Sequence, residues 1–209
     1  MKFWHKIPIF FWSIFYPGKI YGKENIPEGG AVLICNHFRA IDCGFVAKAY
    51  PKDVYFLAKK ELFEKKLLSK IIKSYGGIPI DREKPDLKSL MTAVNVLKQG
   101  HKLVIFPEGS RNKTGTDKLQ ELKGGTAVFA VKAKCPIVPM MFLKKSKIFR
   151  YTHLIIGKPF ELTEYYGKKL TDEDIQTIDK IIYDKMIEQH ETLKQKLNKK
   201  SEKKVEDND

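Results

Sequence analysis

Short, continuously apolar runs alternate along this chain with stretches whose apolar residues recur every three or four positions. Ala31-Val32-Leu33-Ile34-Cys35 is apolar throughout and bounded by the turn-rich Asn25-Ile26-Pro27-Glu28-Gly29-Gly30, the pattern of a strand buried on both faces. Helical sequence follows it. Strand-like Val54 to Leu57 then leads to a basic amphipathic helix from Lys60 to Lys73. Strand-like Ile78 to Ile80 leads to a helix with Leu87, Leu90, Met91, Val94 and Leu97 at helical spacing, where Pro85 suits the first turn and Gly100 the C-terminal cap. Leu103 to Phe106 predicts a strand, Thr126 to Lys134 a helix and Ile137 to Phe142 another strand. Strands alternating with helices predict an α/β domain, with a largely parallel or mixed sheet flanked by helices.

The two ends differ from this middle. Phe3, Trp4, Phe10, Phe11, Trp12, Phe15 and Tyr16, with Lys2, Lys6 and Lys19 around them, make residues 1–20 a short aromatic and basic segment, too short to span a bilayer and with no small-residue cleavage site after it. Aromatic rings suit the headgroup boundary and lysines suit anionic lipid, so this segment is expected to be an amphipathic membrane anchor lying in the interface. Residues 21–197 are read as one catalytic domain. Its last helix begins near Thr171, where Thr171 and Asp174 form a capping pair, and presents Ile175, Ile178, Ile182 and Met186 on one side. Residues 198–209 are Lys-, Glu- and Asp-rich with almost nothing to bury, and are expected to fray or be disordered.

Composition narrows the partners. With 39 Lys and Arg against 25 Asp and Glu, the formal charge is +14, which favours nucleic acid, anionic headgroups or an acidic carrier protein. Nucleic acid is the poorest fit, because the aromatics cluster at the N-terminus instead of interleaving with basic residues, and no RRM, KH, helix-turn-helix or zinc signature is present. Cys35, Cys43 and Cys135 are odd in number and lack CxxC spacing, which points to a reducing, cytoplasmic setting. The five histidines are scattered, with no metal-ligand spacing, and no metal is expected.

Candidate chemistry gathers just beyond strand ends, where open α/β sheets build their sites. His37 and Asp42 follow the first buried strand. In one continuous helix, residues five apart point about 140° from one another and cannot pair. With His37 in the loop and Asp42 in the first turn of the helix, the carboxylate can reach the ring, fix its tautomer and leave the other nitrogen as a base. Asp81-Arg82 and Glu108-Gly109-Ser110-Arg111 follow two further strands, and paired arginines suit a phosphate dianion. Cys35 raises the alternative of a thiol nucleophile, against small core filling. The Lys60 to Lys73 helix reads equally as a lipid-facing element and as one packed on the sheet.

Asn36-His37 with Asp42, Gly77-Ile78-Pro79-Ile80-Asp81-Arg82, Phe106-Pro107-Glu108-Gly109-Ser110-Arg111 and Pro136-Ile137-Val138-Pro139 resemble, in order and spacing, the four motif blocks of the glycerolipid acyltransferases, most closely their bacterial 1-acyl-sn-glycerol-3-phosphate branch. Supporting likeness extends the resemblance over roughly Gly22 to Gly157. It implies transfer of a fatty acyl group from acyl-CoA or acyl-acyl carrier protein (acyl-ACP), as co-substrate and with no further cofactor, onto the sn-2 hydroxyl of lysophosphatidic acid. The alternative within the family is an acceptor such as glycerol 3-phosphate or another lysolipid.

In that resemblance His37 is the general base and Asp42 its orienting partner. Arg82, Glu108, Gly109 and Arg111 bind the acceptor's glycerol phosphate, and Pro136, Ile137, Val138 and Pro139 shape the acyl-binding side. No acyl-enzyme is implied, and the place of work is the cytoplasmic face of the cell membrane, held peripherally to anionic phospholipid. Arg39 stands where the family often has a small polar residue, and either meets a phosphate or faces solvent.

Overall fold

The computed structural model describes residues 13–50, 54–81, 86–114, 116 and 118–206. The expected anchor's Lys2, Lys6 and residues 3–12, together with Arg82, Pro85 and the last three residues, lie outside them. Seven strands form one sheet: β1 (Gly18–Tyr21), β2 (Ala31–Cys35), β3 (Val54–Lys59), β4 (Gly77–Ile80), β5 (Lys102–Ile105), β6 (Ile137–Phe142) and β7 (Thr152–Ile156). Their spatial order is β1-β7-β6-β2-β5-β3-β4. Every pairing is parallel except β6 with β7, so the sheet is mixed with a five-stranded parallel block, and the expected α/β architecture holds.

Alternation along the buried strands sorts two cores. Val32 and Ile34 of β2 and Leu103 and Ile105 of β5 face one side, where they meet α3 (Leu87–Lys98), α4 (Thr126–Ala133) and α5 (Asp172–Glu206). Ala31, Leu33 and Cys35 face the other, where α1 (Asp42–Ala49) covers them with Phe45, Val46 and Ala49. Burial on both faces explains why β2 is apolar at each position. The remaining helix, α2 (Lys66–Ser74), packs loosely: Leu67 is 74% exposed and only Ser69 is buried.

Connection direction places the site. From β2 the chain passes through α1 to β3, on the far side of β5; from β5 it passes through α4 to β6, on the far side of β2. Adjacent strands whose connections leave in opposite directions and over opposite faces open a crevice at their carboxyl ends, the topological switch point where α/β sheets bind ligands.

Three findings depart from the sequence reading. Gly18–Tyr21 is an edge strand of the sheet, so the catalytic domain takes in residues that the expected anchor of 1–20 included. Strand β7 carried no predicted element. The tail expected to fray beyond Leu197 continues α5 as helix to Glu206: it has Lys and Glu, good helix formers, and neither Gly nor Pro to stop it. The start of α5 matches expectation, with Thr171 and Asp174 exchanging backbone and side-chain hydrogen bonds and Ile178, Ile182 and Met186 fully buried.

Asn36 locks β2 to β6 at the end that matters. Its side-chain amide donates to the Phe142 carbonyl at 3.0 Å, and its side-chain oxygen accepts the Phe142 N–H at 2.8 Å, all of it buried. Replacing Asn36 by Ala strands both Phe142 groups away from water, at a cost of about 2–3 kcal/mol in chemical denaturation. A loss below about 0.5 kcal/mol, the size of an ordinary surface change, would show that the clamp is dispensable.

Candidate active site

The polypeptide leaves β2 at Cys35 and runs through a loop before α1 begins at Asp42. His37 stands in that loop. Its Nδ1 lies 3.1 Å from Asp42 Oδ2, and the same oxygen accepts the backbone N–H groups of Phe38 and Arg39, each at 2.7 Å. The other oxygen accepts the Ser146 hydroxyl at 3.2 Å. Asp42 is 1% exposed, so its charge is met by four donors in place of water. The pairing assigns the ring proton to Nδ1 and leaves Nε2 as the basic nitrogen, and the His37 side chain retains 12% exposure.

The backbone of His37 is held as firmly as its ring. Its N–H donates to Glu108 Oε1 at 2.7 Å, and its carbonyl accepts the Asn112 N–H at 2.7 Å. Phe106 stacks on the imidazole with ring centres 3.9 Å apart and planes 19° from parallel. All three come from the segment that follows β5, the strand beside β2, so the switch point is what brings them to His37.

Glu108 was expected to meet the acceptor phosphate. It is 2% exposed, and its second oxygen accepts the Gln120 N–H at 3.1 Å, so both oxygens are engaged by backbone. Burial pushes its carboxyl above the ordinary range, with the His37 and Gln120 N–H groups pulling the other way. A carboxylate so used braces two loops. Gly109 adopts a left-handed turn at φ 67° with its N–H on the Phe106 carbonyl, which sends the chain outward to an exposed Arg111. Arg39 is half-buried beside Asp42.

Pro136 to Pro139 lie elsewhere. Ile137 is level with Val32 and Pro139 with Ile34, so Pro136 leads into β6 and Ile137 to Pro139 begin it, running up from the end of the sheet opposite His37. Ile137 and Val138 are fully buried, on opposite faces. Near the site, β6 contributes its last residues through the Asn36 clamp. Cys35 is fully buried, and burial first, then the Asp42 and Glu108 carboxylates, push its thiol well above its ordinary value, which fits core filling and not a nucleophile.

Four residues of this constellation carried no signal in the sequence reading: Phe106 as a ring partner, Asn112, Gln120 and Ser146. Asn112 sits within the predicted strand-end region and its buried amide organises the following loop through the Thr116 and Lys118 carbonyls, a use of Asn that its proximity to Arg111 could have suggested. Among the described residues no cluster of three His, Cys, Asp or Glu side chains stands where it could hold a metal ion. No described helix is long and apolar enough to cross a membrane.

The chain is 33% identical over 158 residues to the 1-acyl-sn-glycerol-3-phosphate acyltransferase of Bacillus subtilis, covering 70% of this chain and 75% of that one. It is 32% identical over 181 residues to the protein of the same name from Streptococcus pneumoniae, covering 82% and 66%. The crystal structure of the 1-acyl-sn-glycerophosphate (LPA) acyltransferase PlsC from Thermotoga maritima shares the fold, with a TM-score of 0.64 over 85% of this chain and 74% of that one at 22% identity. The family model described as Acyltransferase matches residues 18–143, from β1 through the end of β6 and so across His37, Asp42 and Glu108, and the chain belongs to that family.

Proposed function

We propose that the chain transfers a fatty acyl group from acyl-CoA or acyl-ACP to the sn-2 hydroxyl of lysophosphatidic acid, giving phosphatidic acid at a membrane surface. The observation that carries this reading is the His37–Asp42 pair at the switch point, in a chain whose relatives bear the name of that reaction. An alcohol is a weak nucleophile at neutral pH and a thioester is already activated, so the reaction asks of the protein mainly a placed base. His37 Nε2 takes the hydroxyl proton as the oxygen bonds to the thioester carbon. The tetrahedral adduct then collapses, the carbon–sulfur bond breaks with its electron pair on sulfur, and the imidazolium returns the proton to the thiolate. Asp42 holds the tautomer and balances the transient imidazolium charge. Arg111, with Arg82, receives the phosphate of the acceptor.

Incubating the purified protein with lysophosphatidic acid and each donor tests the reading directly: phosphatidic acid forms with at least one of them. Product from glycerol 3-phosphate and none from lysophosphatidic acid would instead favour an earlier acylation step. His37→Ala lowers turnover by about 10² to 10⁴ with an unchanged unfolding transition, since a base and no core packing is removed. A folded variant with near-normal turnover contradicts the mechanism.

Arg111→Lys keeps the charge but loses the forked contact, so kcat/KM falls more for lysophosphatidic acid than for an acceptor without a phosphate monoester. Equal losses on both acceptors would assign Arg111 to structure.

Ser146 acts through Asp42, as a positioning residue. Ser146→Ala removes one of four donors and lowers kcat by roughly three- to tenfold with KM unchanged, while Ser146→Thr keeps the hydroxyl and recovers most of the rate. Full activity in Ser146→Ala would remove the serine from the account.

A further inference from the structure

The loop between β6 and β7 has no role in the chemistry beyond Ser146, yet its composition is unusual. Lys144, Lys145, Lys147 and Arg150 are exposed, and no carboxylate occurs between Phe142 and Thr152. Between these cations Ile148, Phe149 and Tyr151 also face solvent, Phe149 at 68% exposure. Phe149 has φ 56°, a left-handed conformation that a bulky side chain keeps only where its surroundings hold it. Here its N–H donates to the Phe15 carbonyl at 2.8 Å and its ring lies 5.6 Å from that of Phe15, itself exposed together with Ile14. An isolated exposed apolar residue is unremarkable; two chain segments joined so as to hold aromatic rings outward within a ring of cations are not.

Topology puts this patch beside the site. Phe142 is paired through Asn36 with the end of β2, so the loop rises from the same edge as His37, and Ser146 within it is 2% exposed and bonded to Asp42. Strand β1 is parallel to β7 and Gly18 is level with Thr152, which brings Phe15 to that edge as well. The other exposed large apolar side chains, Leu62, Leu67, Ile71, Leu87 and Met91, lie in the connection after β3 or in the first two turns of α2 and α3, which also leave the carboxyl ends of strands. Among the described residues, most of the exposed large apolar side chains thus belong to segments that leave the carboxyl ends of strands, with Ile71 further down α2.

We propose that residues 144–151, together with Ile14 and Phe15, form a docking surface for an anionic lipid bilayer. Apolar side chains rimmed by lysine and arginine are the chemistry that enters a headgroup boundary and meets phosphate there. A bilayer fits better than an acidic protein, because the exposed side chains between the cations are large and apolar, which suits a headgroup boundary, and each basic group near an anionic membrane strengthens binding roughly fivefold. Docking by this loop turns the crevice of His37 toward the surface from which a lysolipid arrives. The inference rests on the membrane-surface reading above for its purpose, but it is tested by binding, which needs no turnover.

The test uses the full chain and two variants in flotation with vesicles of equal parts phosphatidylglycerol and phosphatidylcholine, and with phosphatidylcholine alone. Ile148→Ser with Phe149→Ser removes the apolar contact and lowers binding to the mixed vesicles at least tenfold. Lys145→Glu with Lys147→Glu reverses two exposed charges and produces a loss of similar size on the mixed vesicles, with little change on phosphatidylcholine. Circular dichroism shows whether the apolar variant folds; if it does not, the charge-reversed variant alone decides, since Lys145 and Lys147 are exposed. Retention of binding by a folded variant overturns the proposal and leaves the N-terminal segment or α2 as the contact. Failure of the intact protein to make phosphatidic acid would overturn the proposed function and leave this result standing.

Discussion

A carboxylate removed from water must be met by donors, and around Asp42 that requirement fixes the geometry of the site. One oxygen gathers the His37 ring and the Phe38 and Arg39 amides, which forces the chain after β2 to turn tightly back over the first residue of α1. The other oxygen reaches Ser146 in the β6–β7 loop. The loop after β2, the start of α1 and the β6–β7 loop, brought together by the pairing of β2 with β6, are thereby joined at one buried charge, and the imidazole leaves that junction with a single orientation. Helix α1 adds to the effect, since a carboxylate at its first residue sits at the positive end of the helix dipole.

The scaffold supplies the rest by strand order. Because β5 lies beside β2, the segment after β5 arrives where His37 needs support, with Phe106 on the ring face, Glu108 on the backbone N–H and Asn112 on the carbonyl. The two buried carboxylates of the site thus do different work: Asp42 orients a ring, and Glu108 ties two loops. Both carboxylates are therefore engaged within the protein, while Arg111 stands exposed beyond them.

The interior of this fold was legible because burial on both faces leaves a plain mark: β2 and β6 match their predicted spans, and the α5 stripe falls where periodicity put it, whereas in α3 only Val94 and Leu97 of the expected stripe are buried and Leu87 and Met91 are exposed. The edge was not. Strand β1 holds four residues with an exposed Lys19, and β7 begins among the loop's charges, so neither shows the alternation or the apolar run of a central strand. In the site, residue type was readable and direction was not. The resemblance implied Glu108 as a ligand for glycerol phosphate, but it carried no sign that the side chain turns inward to two backbone amides while the chain turns out at Gly109. Ser146 is 104 residues from Asp42, and only the pairing of β2 with β6 brings it near.

The central claim is that Asp42 commits the neutral His37 ring to the tautomer protonated at Nδ1, with Nε2 free to accept a proton. Nitrogen NMR of the protein carrying isotope-labelled histidine reads this directly, with the His37 signals identified by their loss in His37→Gln. Above the pH at which the ring becomes neutral, the account predicts a protonated, pyrrole-like Nδ1 and an unprotonated, pyridine-like Nε2, and averaged signals in Asp42→Ala where the ring is released. A proton residing on Nε2, or two averaged nitrogens in the intact protein, would contradict it.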